Sequence, residues 1–277
     1  MDSLQDLLER RYGVADGERC EVQLNETLRN ILDRRSVRSY RQDPVPATLL
    51  RALFATAFSA PSKSDLQQAC VINVSDAGEK ARIAALHDKT SWLARAPVFM
   101  VWCGDSRRIR RLCEWREHPF ANDHLDAFMN AAVDAAIAMQ TFIVAAESVG
   151  LGCCPVSEVR DHIAALSELL ALPKWVFPVA GLCVGWADQP PALSMRLPLR
   201  LSVHENRYDD CGLLNEVAAY DARREQREPT PPERQRMVER YGVSGNYGWS
   251  ENRTRQYSVP ARADFGAYIR KQGFDLS

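Results

Sequence analysis

Three guanidinium groups and one hydroxyl group lie within five residues near the start of the chain. Arg34, Arg35, Ser36 and Arg38 form a dense set of hydrogen-bond donors. The planar fork of arginine can pair with two phosphate oxygens at once, so the segment indicates a phosphate site. A solvated run of surface charge also explains these residues. This segment alone therefore does not distinguish a phosphate site from a run of surface charge.

A polar loop without hydrophobic periodicity lies directly before a predicted strand. Its hydroxyl, carboxylate and amide groups can bond a polyol or the edge of a heterocycle. These groups belong to Ser62, Ser64, Asp65 and Gln67. Serine and aspartate also bond their own backbone readily, so a simple connection is the alternative interpretation.

A glycine-containing stretch follows a long apolar segment and reads Gly-Leu-Gly-Cys-Cys-Pro-Val-Ser-Glu over residues 150–158. Glycine lets the backbone approach a ligand closely, and successive N–H groups can face one acceptor atom. The stretch lacks a third glycine and no strand is predicted before it, so it is not a dinucleotide-binding loop. Helix termination alone explains Gly150.

A fourth polar stretch contains Arg196 and the pair His204 and Glu205. The pair suggests acid–base or metal chemistry, but no HExxH partner is present and the five histidines are scattered. The sequence therefore predicts no catalytic side chain and no metal site. A chain without its own catalytic set indicates that a bound cofactor performs the chemistry.

Hydrophobic periodicity predicts the elements that position these groups. Strands separated by helices indicate an α/β or α+β sandwich around one sheet. Helices are predicted over 4–11, 25–33, 49–58 with Thr48 as the cap, 79–87 and 124–149, and strands over 70–74, 97–103 and 179–186. The charged segment 104–121 is predicted to be a solvated helix or an excursion over the surface.

The helix over 124–149 is apolar on most sides, so it is predicted to lie in a core or between two subunits. Met129, Val133 and Ala136 belong to one stripe, and Ala135 belongs to the adjacent face. A dimer seam along this helix predicts that Ala135→Arg separates the subunits and releases the cofactor at the same time.

Composition excludes several classes of function. The formal net charge is −1, which provides no general field for nucleic acid or an anionic membrane. The N-terminus has no apolar region of a signal peptide, and Val176–Ala187 is about half of the length that a membrane span needs. The eight cysteines lack zinc-type spacing. They are interpreted as reduced thiols in the cytoplasm.

Taken in order, these stretches resemble the nitroreductase family. RRSVRSYRQDPVP is similar to the opening of such proteins, and SAPSKSDLQ occupies the place of their A-P-S-x-x-N-x-Q loop. VDAAIAMQTFIVAAESVGLGCCPV resembles the long central helix and the Gly-Leu-Gly turn. Three further stretches are similar to the oxygen-insensitive, NADPH-preferring subgroup. They are GLCVGWADQPPALSMRLPLRLSVHENRY, YGWSENRTRQ and YIRKQGF. The similarity covers roughly residues 28–275.

The resemblance implies a mixed central sheet flanked by helices, and an interlocked homodimer with two FMN sites at its interface. Backbone N–H groups at residues 156–158 would lie against flavin N5. The implied FMN-binding residues are Arg34, Arg35, Ser36, Arg38, Ser62, Ser64, Asp65, Gln67, Pro155, Val156, Ser157 and Arg196. Some residues of the polar loop would reach the flavin of the partner subunit. Residues 1–204, with a helical extension over 1–33, would form the core, and 205–277 a C-terminal extension.

The chain departs from the family pattern in places. Ser194-Met195 replaces a common Lys-Pro, so one phosphate cation is missing, and Lys63 is predicted to supply it. Asp65 replaces a common asparagine. Arg240 occupies the place of an arginine that bonds the ribose 2′-phosphate of NADPH in relatives, which favours NADPH over NADH.

The resulting expectation is an enzyme that passes electrons from NAD(P)H through FMN to nitroaromatics, quinones or flavins by a ping-pong mechanism. The alternatives are a flavoenzyme of the same fold that performs dehalogenation or dehydrogenation, and a flavin-binding regulator without turnover. The physiological acceptor is not identified by the sequence.

Overall fold

The computed structural model describes residues 3–13, 22–87, 92–189 and 191–277. The chain forms two compact units, and each consists of two separate segments. The first unit contains Met1–Arg34 and Ala192–Ala261, and the second contains Arg35–Pro191 and Arg262–Ser277. The predicted division at residue 204 remains a prediction.

The helices of both units are listed in chain order. They are α1 Leu4–Tyr12, α2 Glu26–Asp33, α3 Ala47–Ala57, α4 Ala77–Ala85, α5 Arg107–Trp115, α6 Leu125–Ser148, α7 Ile163–Leu169, α8 Leu213–Arg227, α9 Val238–Tyr241, α10 Trp249–Tyr257 and α11 Phe265–Lys271. The five helices predicted over 4–11, 25–33, 49–58, 79–87 and 124–149 are confirmed within a few residues, but no bounds were predicted for α7 to α11. Thr48 does not cap α3, because the helix already begins at Ala47 after Pro46 and no side chain caps it.

The second unit is built around a four-stranded sheet with the order β1-β2-β4-β3. All neighbouring strands in it are antiparallel. The strands are β1 Ala69–Asn73, β2 Val98–Asp105, β3 Leu151–Val156 and β4 Val176–Trp186. The mixed character that was predicted appears at the β3 edge, where an isolated bridge between Ser36 and Cys153 is parallel.

The two central strands explain why continuous apolar runs predicted strands. Successive residues of β2 alternate between two cores, with Met100 and Trp102 in one and Phe99 and Val101 in the other. Helices cover both faces of the sheet, so neither face of β2 meets water and polar alternation is absent. Buried side chains from α3 and α6 belong to the first core, and side chains from α4 and α7 belong to the second.

Strand β3 was not predicted, because residues 150–158 were interpreted only as a glycine-containing stretch whose backbone could approach a ligand. Its residues pair with β4, for example Gly152 with Gly185. Glycine has low strand propensity, so the local sequence hides the strand. Gly152 is required by packing, because a Cβ atom there would lie 2.6 Å from a methyl group of Val37. Gly150 has a φ of 85°, which confirms the predicted left-handed stop after α6.

Helix α6 presents one face to the first core and the other to the outside of the chain. Ala135 and Phe142 are fully buried, whereas Met129 is 55% exposed and Val133 is 40% exposed. Among the described residues, this helix alone has the length and composition that could cross a membrane. Its buried face accounts for much of that apolar composition.

The first unit contains α1, α2, α8, α9 and α10. A buried arginine stabilises part of this unit. Arg255 is buried and donates to the carbonyl groups of Arg236 and Gly242, and to the carboxylate of Glu251. These bonds shape the segment before α10.

Candidate functional site

The arginine-containing segment of the second unit lies against the edge strand β3. Ser36 forms a parallel bridge with Cys153, and the N–H group of Val37 donates to the carbonyl of Cys153 at 3.0 Å. The side chain of Val37 is buried against Gly152. Because Val37 faces inward, its neighbours Ser36 and Arg38 remain accessible. The guanidinium group of Arg38 lies 5.9 Å from the ring centre of Trp92.

The same edge carries the end of the glycine-containing stretch. Pro155 and Ser157 are exposed, and Val156 between them is buried. The chain continues after β3 into a short 3-10 turn, Ser157–Arg160. The arginine segment therefore contacts β3, and residues 155–157 form the end of the same strand and the start of the turn after it.

The polar loop is stabilised by bonds within itself. The N–H group of Gln67 donates to Ser62 Oγ at 3.0 Å, and Gln67 Nε2 donates to the carboxylate of Asp65 at 3.1 Å. Ser64, Asp65 and Gln67 all have φ between 50° and 55°. Such left-handed backbone is costly for residues other than glycine, so surrounding contacts must hold this loop.

Asp134 on α6 is the contact that holds the loop, and sequence reasoning did not select it. Its carboxylate accepts the backbone N–H groups of Lys63 at 3.1 Å and of Gln68 at 3.0 Å. The side chain is 3% exposed. An acidic residue in the middle of an apolar helix was the available signal. Lys63 was predicted to supply the cation that is missing from the phosphate site. Its ammonium group lies 3.7 Å from the carboxylate of Asp126, so its positive charge already has an acidic partner.

A cavity of about 440 Å³ opens beside this loop. One part of its wall is apolar and another is polar, as is common for sites that accept small molecules. Arg108 on α5 donates to the carbonyl of Gln67 and reaches the cavity from the charged segment 104–121. The lining of the cavity includes Phe58, Ser62, Gln67, Cys70, Arg108 and Asp134.

The two groups of motifs of the second unit lie at opposite edges of its sheet. The polar loop precedes the edge strand β1, and the arginine segment contacts the edge strand β3. Three strand spacings separate these edges, which is roughly 14 Å. The structure of one chain therefore does not bring the polar loop together with the arginine segment.

The remaining predicted residues belong to the first unit. Arg34 follows the last residue of α2 and is half-buried. Arg196 is exposed, and its Nη1 donates to Ser194 Oγ at 2.9 Å. Arg240 is also exposed, with its guanidinium group 5.3 Å from the ring centre of Tyr241.

Side chains with acid–base potential are few in these regions. His204 Nδ1 accepts the N–H group of Asp209 at 3.5 Å, and its ring lies 4.6 Å from that of Tyr208. Both contacts are with residues of the same segment. Among the described residues, no group of three histidine, cysteine or carboxylate side chains could hold a metal ion.

The donor chemistry fits FMN, the cofactor that the resemblance implies. Guanidinium and hydroxyl groups from Ser36 and Arg38 suit a phosphate ester. Hydroxyl, amide and carboxylate groups of the polar loop suit a ribityl chain or a ring edge. Because Gly152 has no Cβ atom, the side chain of Val37 packs closely against it, and Ser36 and Arg38 remain accessible.

Two family models match most of the chain. The model described as the nitroreductase family matches residues 31–186, and the model described as its C-terminal domain matches residues 194–277. A protein named FMN reductase [NAD(P)H] from Bacillus subtilis is 33% identical over 91% of this chain and 99% of its own length. An oxygen-insensitive NADPH nitroreductase from Salmonella typhimurium is 31% identical over the same shares of the two chains.

Solved structures show the same fold. The hypothetical oxidoreductase YcnD from Bacillus subtilis has a TM-score of 0.82 and 32% identity, covering 92% of this chain and 100% of its own. The NADPH:FMN oxidoreductase from Vibrio harveyi, solved in complex with NAD+, has a TM-score of 0.78 and 26% identity, covering 90% of this chain and 98% of its own.

Proposed function

Because this chain belongs to the nitroreductase family, we propose that it is an FMN-dependent oxidoreductase that takes electrons from NAD(P)H and reduces small aromatic acceptors. Its relatives include proteins named FMN reductase [NAD(P)H], oxygen-insensitive NADPH nitroreductase and NADPH-flavin oxidoreductase. The observation that carries the proposal is the parallel bridge between Ser36 and Cys153, because it joins along one strand two motifs that the proposal assigns to flavin binding.

Phosphate binding is proposed for Arg35, Ser36 and Arg38 within the second unit, and for Arg34 and Arg196 within the first unit. Guanidinium groups form charge-assisted hydrogen bonds with phosphate, and such bonds are shorter and stronger than neutral ones. Of this set, Arg38 and Arg196 are exposed and available to a ligand.

The ring system is assigned to the edge strand β3 and the turn after it. Pro155, Val156 and Ser157 would supply a rigid wall, and N–H groups near Ser157 would donate to flavin N5. A fixed donor at that atom stabilises negative charge that develops there. The chemistry that FMN would supply here is two-electron transfer from NAD(P)H to the acceptor, in a ping-pong scheme in which both substrates use one slot.

We further propose that the active species is a homodimer. Ser62, Ser64, Asp65 and Gln67 lie at the sheet edge opposite to the arginine segment. A second copy can present its polar loop where the first copy presents its arginine segment, and symmetry then produces two equivalent sites. The exposed apolar stripe of α6 is the surface proposed to join the copies.

No side chain is proposed as a general acid, since water can supply the protons. Arg240 is proposed to bond the 2′-phosphate of NADPH, which favours NADPH as the donor. Its exposure leaves the guanidinium group accessible to that phosphate. The proposed location is the cytoplasm, which suits the free cysteines among the described residues.

The test is the absorbance spectrum of the purified protein, followed by steady-state turnover. We expect bound FMN, oxidation of NADPH, and reduction of nitrofurazone or a quinone. A protein that stays colourless with added FMN contradicts the proposal. A yellow dimer without NADPH oxidation would indicate a flavin-binding regulator, and loss of halide from a halophenol would indicate a dehalogenase.

A further inference from the structure

Arg11 is a charged residue buried inside the first unit. It belongs to α1, a helix that lies outside both ranges matched by the family models. The residue is 3% exposed. Burying a guanidinium group is costly unless its N–H groups form hydrogen bonds. The hydrogen-bond partners of Arg11 therefore indicate its role.

The partners are three backbone carbonyl groups on two distant segments. Arg11 Nε donates to the carbonyl of Leu32 at 2.8 Å, and Nη2 donates to that of Arg34 at 2.7 Å. Nη1 donates to the carbonyl of Ser194 at 2.9 Å. In addition, the N–H group of Arg196 donates to the carbonyl of Arg11 at 2.7 Å. One residue thus fixes the backbone of both Arg34 and Arg196.

The charge of Arg11 adds to that of the two arginines that it positions. Burial, together with the nearby charges of Arg196 and Arg34, lowers the pKa of Arg11 to about 10. The charge of Asp33 acts in the opposite direction. Three like charges repel one another, and an anion between them would relieve this repulsion.

Space for an anion exists on the Arg196 side. Ser194 and Arg196 line a cavity of about 530 Å³ within the first unit. Tyr12, which follows Arg11 in α1, lines the same cavity. The segment that Arg11 fixes is therefore open to a ligand.

We propose that Arg11 is a positioning residue for the phosphate group of FMN, which holds the backbone of Arg34 and Arg196 in place and adds a buried positive charge beside them. This inference rests on the proposed function. It replaces the prediction that Lys63 supplies the missing cation, because the guanidinium group of Arg11 bonds the carbonyl of Ser194, where the predicted pattern has a lysine.

The experiment compares FMN with riboflavin, which lacks the phosphate group. The full-length protein is freed of flavin, and dissociation constants are measured by quenching of flavin fluorescence. For Arg11→Met we expect FMN binding to weaken by about tenfold or more, since charge-assisted contacts are lost, and riboflavin binding to stay within about twofold. A residue that only stabilises the fold would weaken both flavins alike.

Arg10→Met is the matched control, because it removes a charge from an exposed position of the same helix. We expect it to leave both constants unchanged. Arg11→Lys keeps the charge but lacks the planar fork, so it should weaken FMN selectively and by less. It decides the question if Arg11→Met fails to fold, as judged by circular dichroism.

Unchanged FMN binding in the folded Arg11 variants, or equal weakening of both flavins, overturns the inference while leaving the proposed function intact. A wild-type protein that binds neither flavin contradicts the proposed function itself. Inorganic phosphate should weaken FMN binding to the wild type and have less effect on Arg11→Met.

Discussion

At the scale of single residues, Asp134 shows how one carboxylate can determine the shape of a functional loop. It accepts two backbone N–H groups, from Lys63 and Gln68, on either side of the loop residues with left-handed backbone. Buried N–H groups without an acceptor cost free energy. The strained loop therefore depends on this side chain for its conformation.

We expect Asp134→Asn to lower the free energy of unfolding by about 1–3 kcal/mol, because an amide offers one acceptor oxygen where the carboxylate offers two. The measurement is urea unfolding of the flavin-free protein. Asp126→Asn is the control on the same helix, at an exposed position that contacts Lys63, and it should cost less than about 1 kcal/mol. Equal losses in the two variants would show that Asp134 has no special role.

At the scale of elements, helix α6 has one face in the core of the chain and one exposed face. Ala135 and Ala138 lie in the core of the chain, whereas Met129 and Val133 are exposed. The choice of Ala135 as a probe of the dimer was wrong. The residue is fully buried within one chain, so a larger side chain there must disturb the fold before it can disturb an interface.

We expect Val133→Arg to give a folded monomer, because a charge on the exposed stripe cannot be buried against a second copy without a large cost. Ala135→Arg should instead lose the folded state. Light scattering after size exclusion measures the mass, and circular dichroism measures the fold. If Val133→Arg remains a dimer, the interface lies elsewhere. Gln140→Arg, exposed further along α6, tests how far the interface extends.

At the scale of the whole molecule, the stability of the fold is expected to depend on the protonation of His87. The residue is buried and follows α4, and its ring lies 5.9 Å from that of His162. Burial lowers the pKa of His87 below 6.5, and His162 lowers it further, while Asp161 acts in the opposite direction. The folded protein thus disfavours the charged form.

The direction of the pH dependence follows from the difference between the pKa of His87 in the folded and in the unfolded protein. An unfolded chain takes up a proton at His87 near pH 6.5, but the folded protein does so only at lower pH. The stability is therefore fully present above pH 6.5 and decreases as the pH falls below it. We expect His87→Phe to reduce this decrease, measured as the free energy of unfolding between pH 7.5 and 5. His118→Phe, at an exposed position, should leave the profile unchanged.

Much of the architecture was determined by the sequence itself. Apolar runs without polar alternation specify β2 and β4, and a long apolar helical pattern specifies α6, because period and burial are local properties of the chain. The order of the arginine segment, the polar loop and the Gly-Leu-Gly turn was sufficient to identify the family.

Only the tertiary structure decided which side chains hold these motifs in place. Arg11 and Ser194 are 183 residues apart in sequence, and Asp134 is 71 residues from Lys63. Nothing in the local pattern marks such pairs, since any buried donor can bond any carbonyl that folding brings near. The strand β3 was hidden because glycine lowers the local strand propensity. Its glycine is explained by the close approach of Val37, which is a property of the packed chain.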